Sequence, residues 1–243
     1  MEGSGSFVVE VYADAESLAR AAAELFIECS AEAVTRSGRF TVALSGGETP
    51  LATFRLLAEP PFRNRVDWSL VHVFWGDERC VPPEDPRSNY GVAFRLFLSR
   101  VPIPLNQIHP ILCADGPARA SREYESILKS TFDTSSRYFD LILLGLGLDG
   151  HTASLFPDSA ALDEKEKWVT YVQNPIEKFP RVTMTLPRLN LTRKAIFLVA
   201  GAAKKNVFQA ALSAREPCYS LPVRLIHPLY GDVIWLVEFA TTR

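Results

Sequence analysis

The amino-acid sequence predicts an α/β fold: an open, mostly parallel, Rossmann-like sheet with helices on both faces. Short apolar and β-branched runs alternate along the whole chain with segments that carry apolar residues at helical spacing. Most of the short runs are continuously apolar, which is typical of parallel strands buried on both faces. No repeat, low-complexity segment or linker divides the sequence. We therefore expect a single α/β domain over residues 1–243, with a flexible Gly/Ser-rich tail at residues 1–6.

The elements follow from local patterns. The predicted strands are Phe7–Val11, Phe40–Leu44, Leu70–Trp75, Phe139–Leu144, Trp168–Val172, Val182–Leu186, Ala195–Val199 and Asp232–Phe239. Asp14 is a typical N-cap for a first helix that runs through about residue 36. Pro50 suits the first turn of a second helix. Further helices are predicted over Gly91–Arg100, Ala118–Phe132 and 201–214, whereas prolines and polar residues make 82–91 a loop.

The composition excludes several classes of function. Apolar residues make up 47% of the 243 residues and charged residues 22%, as in an ordinary soluble domain. A net charge of −2 provides no basic surface for nucleic acid or an anionic membrane. No apolar run approaches the roughly 20 residues that span a bilayer, and the N-terminus lacks the features of a signal peptide. We therefore expect a cytoplasmic protein, favour a monomer, and expect any phosphate-bearing ligand to be held by a local site.

The four cysteines are Cys29, Cys80, Cys113 and Cys218. They lie far apart in the sequence and form no C-x-x-C pair. This spacing favours reduced thiols over a disulfide framework or a metal site.

Three polar clusters directly follow predicted strands. They are "SGGETP" at 45–50, "GDER" at 76–79 and "GLGLDGH" at 145–151. In an open parallel sheet, ligands bind beyond the carboxyl ends of the strands. The clusters are therefore the main candidates for a functional site.

Two of these clusters, and one later helix start, suit an anion. Ser45, Gly46 and Gly47 lie between a strand and a helix, where backbone N–H groups and the helix dipole can face a phosphate. The alternative is a tight turn without a ligand. Arg79 offers a planar fork of donors for a phosphate or an oxyanion, or belongs to a solvated charge cluster. Lys204 lies in the first turn of a helix, where the dipole disfavours a cation unless an anion compensates; a surface lysine is the alternative.

The third cluster matches the dinucleotide pattern G-x-G-x-x-G at 145–150. That pattern requires its third glycine to open a long helix, but Pro157 follows His151 after only six residues. The loop is therefore not predicted to bind a nucleotide. An imidazole titrates near neutral pH, so His151 can take a proton from water, and Asp149 can orient it. The alternative is that His151 caps a short helix.

Together, "ALSGGETP", "GDER", "RSNYG", "GLGLDGHTASLFP", "RVTMTLPRLN" and "GAAK" occur in an order that resembles the 6-phosphogluconolactonase family. That family lies within the wider glucosamine-6-phosphate isomerase/6-phosphogluconolactonase group, and the resemblance extends from Phe40 through Lys204. "DGHTASLFP" resembles the lactonase branch, because the isomerase/deaminase branch usually ends this loop in Asn-Glu-Pro. "GDER" likewise differs from the Asp-Glu-Tyr of that branch.

The resemblance implies hydrolysis of 6-phospho-D-glucono-1,5-lactone in the oxidative pentose phosphate pathway, with no cofactor and no catalytic metal. Two alternatives are an isomerase or deaminase of glucosamine 6-phosphate and a sugar-phosphate sensor without catalysis. The sensor is disfavoured because no basic DNA-binding module accompanies the domain. By motif, the resemblance implies a phosphate pocket formed by Ser45, Gly46, Gly47, Lys204 and Arg79. It also implies that His151 is the general base, with Asp149 as its acidic neighbour. Arg181 is implied as one further contact to the substrate.

Overall fold

A computed structural model describes the protein over residues 5–132, 138–173, 178–213 and 220–240. Its strands are β1 (Phe7–Tyr12), β2 (Phe40–Leu44), β3 (Val71–Trp75), β4 (Asp77–Arg79), β5 (Leu141–Leu144), β6 (Val169–Gln173), β7 (Pro180–Met184), β8 (Lys194–Ala200) and β9 (Asp232–Glu238). Its helices are α1 (Ala15–Ser37), α2 (Pro50–Leu57), α3 (Asn89–Leu96), α4 (Pro117–Thr131), α5 (Leu186–Leu189) and α6 (Lys205–Leu212), with short 3₁₀ turns between some of them.

Six strands form a parallel sheet in the order β1-β9-β8-β5-β2-β3. Every side chain of β2 and β5 is buried. Because successive side chains of a strand point to opposite faces, both faces of the sheet are covered there. The predicted α/β fold with an open, mostly parallel sheet is confirmed. Since β2 lies between β3 and β5, the carboxyl ends that carry the three polar clusters are neighbours.

The termini of α1 show why the chain forms this helix where it does. The Asp14 carboxylate accepts a hydrogen bond of 2.7 Å from the backbone N–H of Ser17, as predicted for an N-cap. Gly38 ends the helix with a φ of 72°, and its N–H donates to the carbonyl of Val34 at 2.8 Å. A residue with a side chain is strained in this left-handed conformation. The helix then packs against β2, β8 and β9.

A second, antiparallel sheet with the order β4-β7-β6 was not predicted. "GDER", predicted as the polar end of a strand, contributes the separate short strand β4, which pairs with β7. A three-residue charged strand has no periodicity that could reveal it. The predicted end of the loop at 82–91 is also wrong, because α3 begins at Asn89. Ser88 caps that helix by accepting from the N–H of Gly91 at 3.0 Å.

The prediction of reduced thiols is wrong for one pair of cysteines. Cys80 and Cys113 are joined by a disulfide, with Cα atoms 5.1 Å apart. Their 33-residue separation gave no sign of this, since only the folded chain brings the end of β4 beside the loop that precedes α4. Cys29 is a free, buried thiol in α1, and burial raises its pKa to about 12. Cys218 lies outside the described residues.

Two further sequence-based expectations concern the chain start and membranes. Residues 1–4 of the predicted tail lie outside the described residues, while the backbone N–H and the hydroxyl of Ser6 each donate to Asp232 at 2.8 Å. Within the described ranges, no helix combines the length and apolar character needed to cross a membrane.

A pair of partly buried histidines makes the fold sensitive to acid. His72 Nδ1 lies 3.3 Å from His109 Nε2, and the His109 ring stacks on Phe74 with centroids 4.4 Å apart. Burial, with a contribution from the neighbouring His72, lowers the pKa of His109 to about 4. Burial, aided by Arg39, also lowers the pKa of His72. The unfolded chain therefore takes up protons first, so the stabilisation present above about pH 6.5 is lost toward pH 4.

We expect the free energy of unfolding to fall by about 1–2 kcal/mol between pH 7 and pH 5 because of His109, after allowance for partial solvent screening of its ring. Urea titrations at both pH values measure this change. His109→Gln cannot titrate and should reduce the dependence on pH. An unchanged dependence in this variant would show that other groups cause the acid sensitivity.

Candidate active site

A cavity of about 230 Å³ opens at the carboxyl ends of β2, β3 and β5. It brings together seven of the eight predicted site residues, which come from five separate segments of the chain: Ser45, Gly46, Gly47, Arg79, His151, Arg181 and Lys204. The eighth, Asp149, contacts His151. The placement agrees with the general position of ligand sites in open α/β sheets.

The loop Ser45–Gly47 joins β2 to α2 and forms one wall of the cavity. Gly47 has a φ of +89°, and a Cβ on Gly46 would lie 1.7 Å from Asn89 Oδ1. Neither position tolerates a side chain without rearrangement. The bare backbone is thus exposed to the cavity beside the N-terminus of α2, where N–H groups and the helix dipole favour an anion.

Lys204 lines the same cavity as this loop and lies immediately before α6. Burial lowers the pKa of its ammonium, although Glu48 acts in the opposite direction. No acidic side chain of the described residues lies within ion-pair distance of Lys204 Nζ. A half-buried cation at the positive end of a helix dipole is electrostatically unfavourable until an anion binds.

Arg79 and Arg181 lie directly opposite each other on β4 and β7. Like charges in this position destabilise an antiparallel pair unless an opposite charge compensates. Arg181 Nη1 lies 3.6 Å from Asp77 Oδ2, whereas Arg79 Nη1 donates to the backbone carbonyl of Arg87 at 2.7 Å. Together with Lys204, these side chains give the cavity three cationic groups.

Asp149 and His151 form a close pair at the edge of the cavity. Asp149 Oδ1 lies 2.5 Å from His151 Nδ1 and accepts from the His151 backbone N–H at 3.1 Å. Partial burial acts to raise the pKa of Asp149, but the hydrogen bonds and charge of His151 outweigh it and lower the pKa. An ionised carboxylate only accepts hydrogen bonds, so Nδ1 carries a proton, and in the neutral imidazole the lone pair is on Nε2. That is the form in which an imidazole acts as a base.

The glycines of the loop leave room for the Asp149–His151 pair. A Cβ on Gly147 would lie 2.1 Å from His151 Nδ1 and 2.6 Å from Asp149 Oδ1, so the two side chains occupy the space that a larger residue would need. Gly150 has a φ of +82°. The described chain forms turns rather than a helix from 145 to 159. The long helix that a dinucleotide loop requires is therefore missing here, in agreement with the prediction from the sequence.

Several residues of the site were not identified as functional from the sequence. Asp77 and Asn89 line the cavity, and Asn89 Nδ2 donates to the Asp77 carbonyl at 2.9 Å. Glu78 accepts from the backbone N–H groups of Asn89 and Tyr90, each at 2.7 Å, which ties α3 to β4. Burial raises the pKa of Glu78 to about 7, although these hydrogen bonds counteract it. The motifs "GDER" and "RSNYG" contain these residues, but charged and polar residue types alone do not show which side chains point into the cavity.

Metal binding has no obvious place in the described part of the chain. No group of three or more His, Cys, Asp or Glu side chains there is arranged to hold a metal ion. The described site instead combines hydrogen-bond donors, cations and one imidazole–carboxylate pair.

Comparison with known proteins identifies relatives over most of the chain. Residues 13–235 match the model of the family described as glucosamine-6-phosphate isomerases/6-phosphogluconolactonase. A 6-phosphogluconolactonase of a Nostoc species is 37% identical over 96% of this chain and 95% of its own. One of a Synechocystis species is 39% identical over 85% of each chain.

A solved structure with a similar fold carries the same name as these relatives. The crystal structure of a 6-phosphogluconolactonase from Thermotoga maritima superposes with a TM-score of 0.82 at 28% identity, over 96% of this chain and 100% of that one. The fold, the match over residues 13–235 and the identity to these relatives lead to one conclusion. The chain belongs to the glucosamine-6-phosphate isomerase/6-phosphogluconolactonase family.

Proposed function

We propose that the protein is a lactone hydrolase that converts 6-phospho-D-glucono-1,5-lactone to 6-phospho-D-gluconate in the oxidative pentose phosphate pathway. Relatives named 6-phosphogluconolactonase at 37% and 39% identity support the reaction. The observation that carries the proposal is that an Asp149–His151 pair shares one cavity with Lys204 and the loop Ser45–Gly47. A base and an anion site in one small cavity suit a substrate with a phosphate at one end and an electrophilic carbon at the other.

The chemistry needs no covalent nucleophile, because a lactone carbonyl is already electrophilic. His151 Nε2 removes a proton from water as the water oxygen bonds to C1 and the carbonyl electrons move to its oxygen. The oxyanion then collapses and breaks the bond between C1 and the ring oxygen O5. The imidazolium returns its proton to O5, which leaves as a hydroxyl group. Asp149 stabilises the transient imidazolium and keeps Nδ1 protonated throughout.

The remote phosphate supplies much of the positioning. The backbone of Ser45–Gly47, together with Lys204 and Arg79, binds the phosphate, and this contact places C1 against His151. Binding energy from a non-reacting part of a substrate lowers the barrier when it fixes the reacting atoms in line.

An assay with two substrates tests the proposal. We expect freshly prepared 6-phosphogluconolactone to open faster than its spontaneous rate at the same pH, with 6-phosphogluconate as the product. Glucosamine 6-phosphate should release no ammonia. Release of ammonia without acceleration of lactone opening would instead favour the deaminase activity of the wider family.

A further inference from the structure

The buried carboxylate of Asp77 has no part in the proposed steps of lactone hydrolysis. Asp77 and Arg181 are each only 5% exposed, and Arg181 Nη1 lies 3.6 Å from Asp77 Oδ2. The same carboxylate oxygen accepts a hydrogen bond of 2.5 Å from the hydroxyl of Ser154, which is fully buried. Asp77 thus connects β4, β7 and the loop that carries His151.

Arg181 lies at the His151 end of the cavity. The Phe156 ring packs against the His151 imidazole with centroids 4.7 Å apart, and the Arg181 guanidinium lies 5.6 Å from the centroid of the same ring. The side chains of Arg181 and His151 both line the cavity. Arg181 and His151 therefore flank the same aromatic ring within one cavity, which makes the guanidinium the candidate donor for the negative charge that the proposed reaction develops.

Arg79 has different surroundings. It lines a second cavity of about 360 Å³ together with Ser45–Gly47 and Asn89, and His151 does not border that space. Among the described residues, no carboxylate forms an ion pair with Arg79. The two arginines therefore differ in surroundings and charge compensation: Arg79 lines both cavities with the anion loop, and Arg181 shares the Phe156 ring with His151 and has the carboxylate of Asp77 as a partner.

Building on the lactone hydrolysis proposed above, we propose that Asp77 is a positioning residue that holds Arg181 as the hydrogen-bond donor to the oxyanion on C1. A guanidinium carries five N–H donors in a rigid plane, but it ends a long, flexible side chain. Stabilisation of a transition state requires donors that are already in place when the charge develops. The carboxylate of Asp77, fixed by the Ser154 hydroxyl, supplies that constraint.

Asp77→Asn separates positioning from charge. The variant keeps the size of the side chain but removes the charge that fixes Arg181, so kcat should fall about 10- to 100-fold, the range expected for a misplaced catalytic group. Removing a negative charge from the cavity wall should also strengthen the binding of inorganic phosphate about 3- to 10-fold in calorimetry. Slower turnover with tighter phosphate binding is not the result of a general loss of structure.

Asp140→Asn is the matched control. Asp140 is also buried, pairs with Arg36 and accepts from the Thr41 hydroxyl at 2.8 Å, but it directly precedes β5, at the opposite end of the sheet from the cavity. This variant should lower Tm without changing kcat or phosphate binding. In an Arg181→Met background, Asp77→Asn should cause no further loss of kcat, since the group that it positions is gone.

The outcomes distinguish the proposals. If the wild-type protein does not accelerate lactone opening, the proposed function fails, whatever Asp77 does. If it does, and Asp77→Asn keeps more than half of wild-type kcat or loses activity equally in the Arg181→Met background, the positioning role is wrong. Weaker phosphate binding in Asp77→Asn also contradicts it. Should Asp77→Asn not fold, Ser154→Ala must reduce kcat in the wild-type background and not in the Arg181→Met background.

Discussion

His151→Ala is expected to lower kcat for lactone opening by about 10²- to 10⁴-fold, the usual contribution of a general base. The structural reason is that Asp149 keeps Nδ1 protonated and leaves Nε2 to accept a proton beside the cavity. KM should change only a few-fold, because the proposed phosphate contacts come from the loop Ser45–Gly47 and from Lys204. Initial rates must be corrected for spontaneous opening of the lactone at the same pH.

His227→Ala is a suitable control for this variant. His227 is exposed, and the described contacts of its backbone are with Asn190, outside the cavity. It should keep wild-type kcat and KM. If His151→Ala retains more than about a tenth of wild-type kcat, another group takes the proton from water, and the assignment of the base is wrong.

The sequence was sufficient for those parts of the site that depend on short-range geometry. Asp149 and His151 are two residues apart in one loop, so their contact could be predicted from local chain reach. Ser45–Gly47 directly follow a strand and Lys204 lies at the start of the helix after another strand, and the rule for parallel sheets places such residues at one edge. The sequence therefore predicts contacts between site residues whose positions are fixed by the strands that precede them.

The sequence was insufficient where contacts depend on tertiary pairing. Arg79 was predicted as a donor for a phosphate or an oxyanion at a strand end, but nothing in "GDER" shows that it pairs with β7 opposite Arg181. Asp77 and Ser154 are 77 positions apart, and the disulfide between Cys80 and Cys113 spans 33. Contacts of this kind are set by the second sheet, whose short strand β4 carries no recognisable pattern.

Lys204→Ala is the second variant with a large expected effect, and it should act on binding rather than on chemistry. A charge-assisted hydrogen bond to phosphate contributes about 1.5–3 kcal/mol, so KM should rise about 10- to 100-fold while kcat stays near the wild-type value. The dissociation constant of inorganic phosphate, measured by calorimetry, should rise by a similar factor. This pattern is the opposite of that expected for His151→Ala.

Lys205→Ala is the matched control, since it removes the same charge from the next residue, which is exposed and does not line the cavity. It should leave KM unchanged. Because burial lowers the pKa of Lys204, its charged form is unfavourable in the empty site, so Lys204→Ala should not lower Tm. A rise in KM without loss of Tm therefore indicates a side chain kept for its ligand. An unchanged KM, or equal effects of both lysine variants, would contradict the phosphate role of Lys204 and leave the anion to Arg79 and the backbone of Ser45–Gly47.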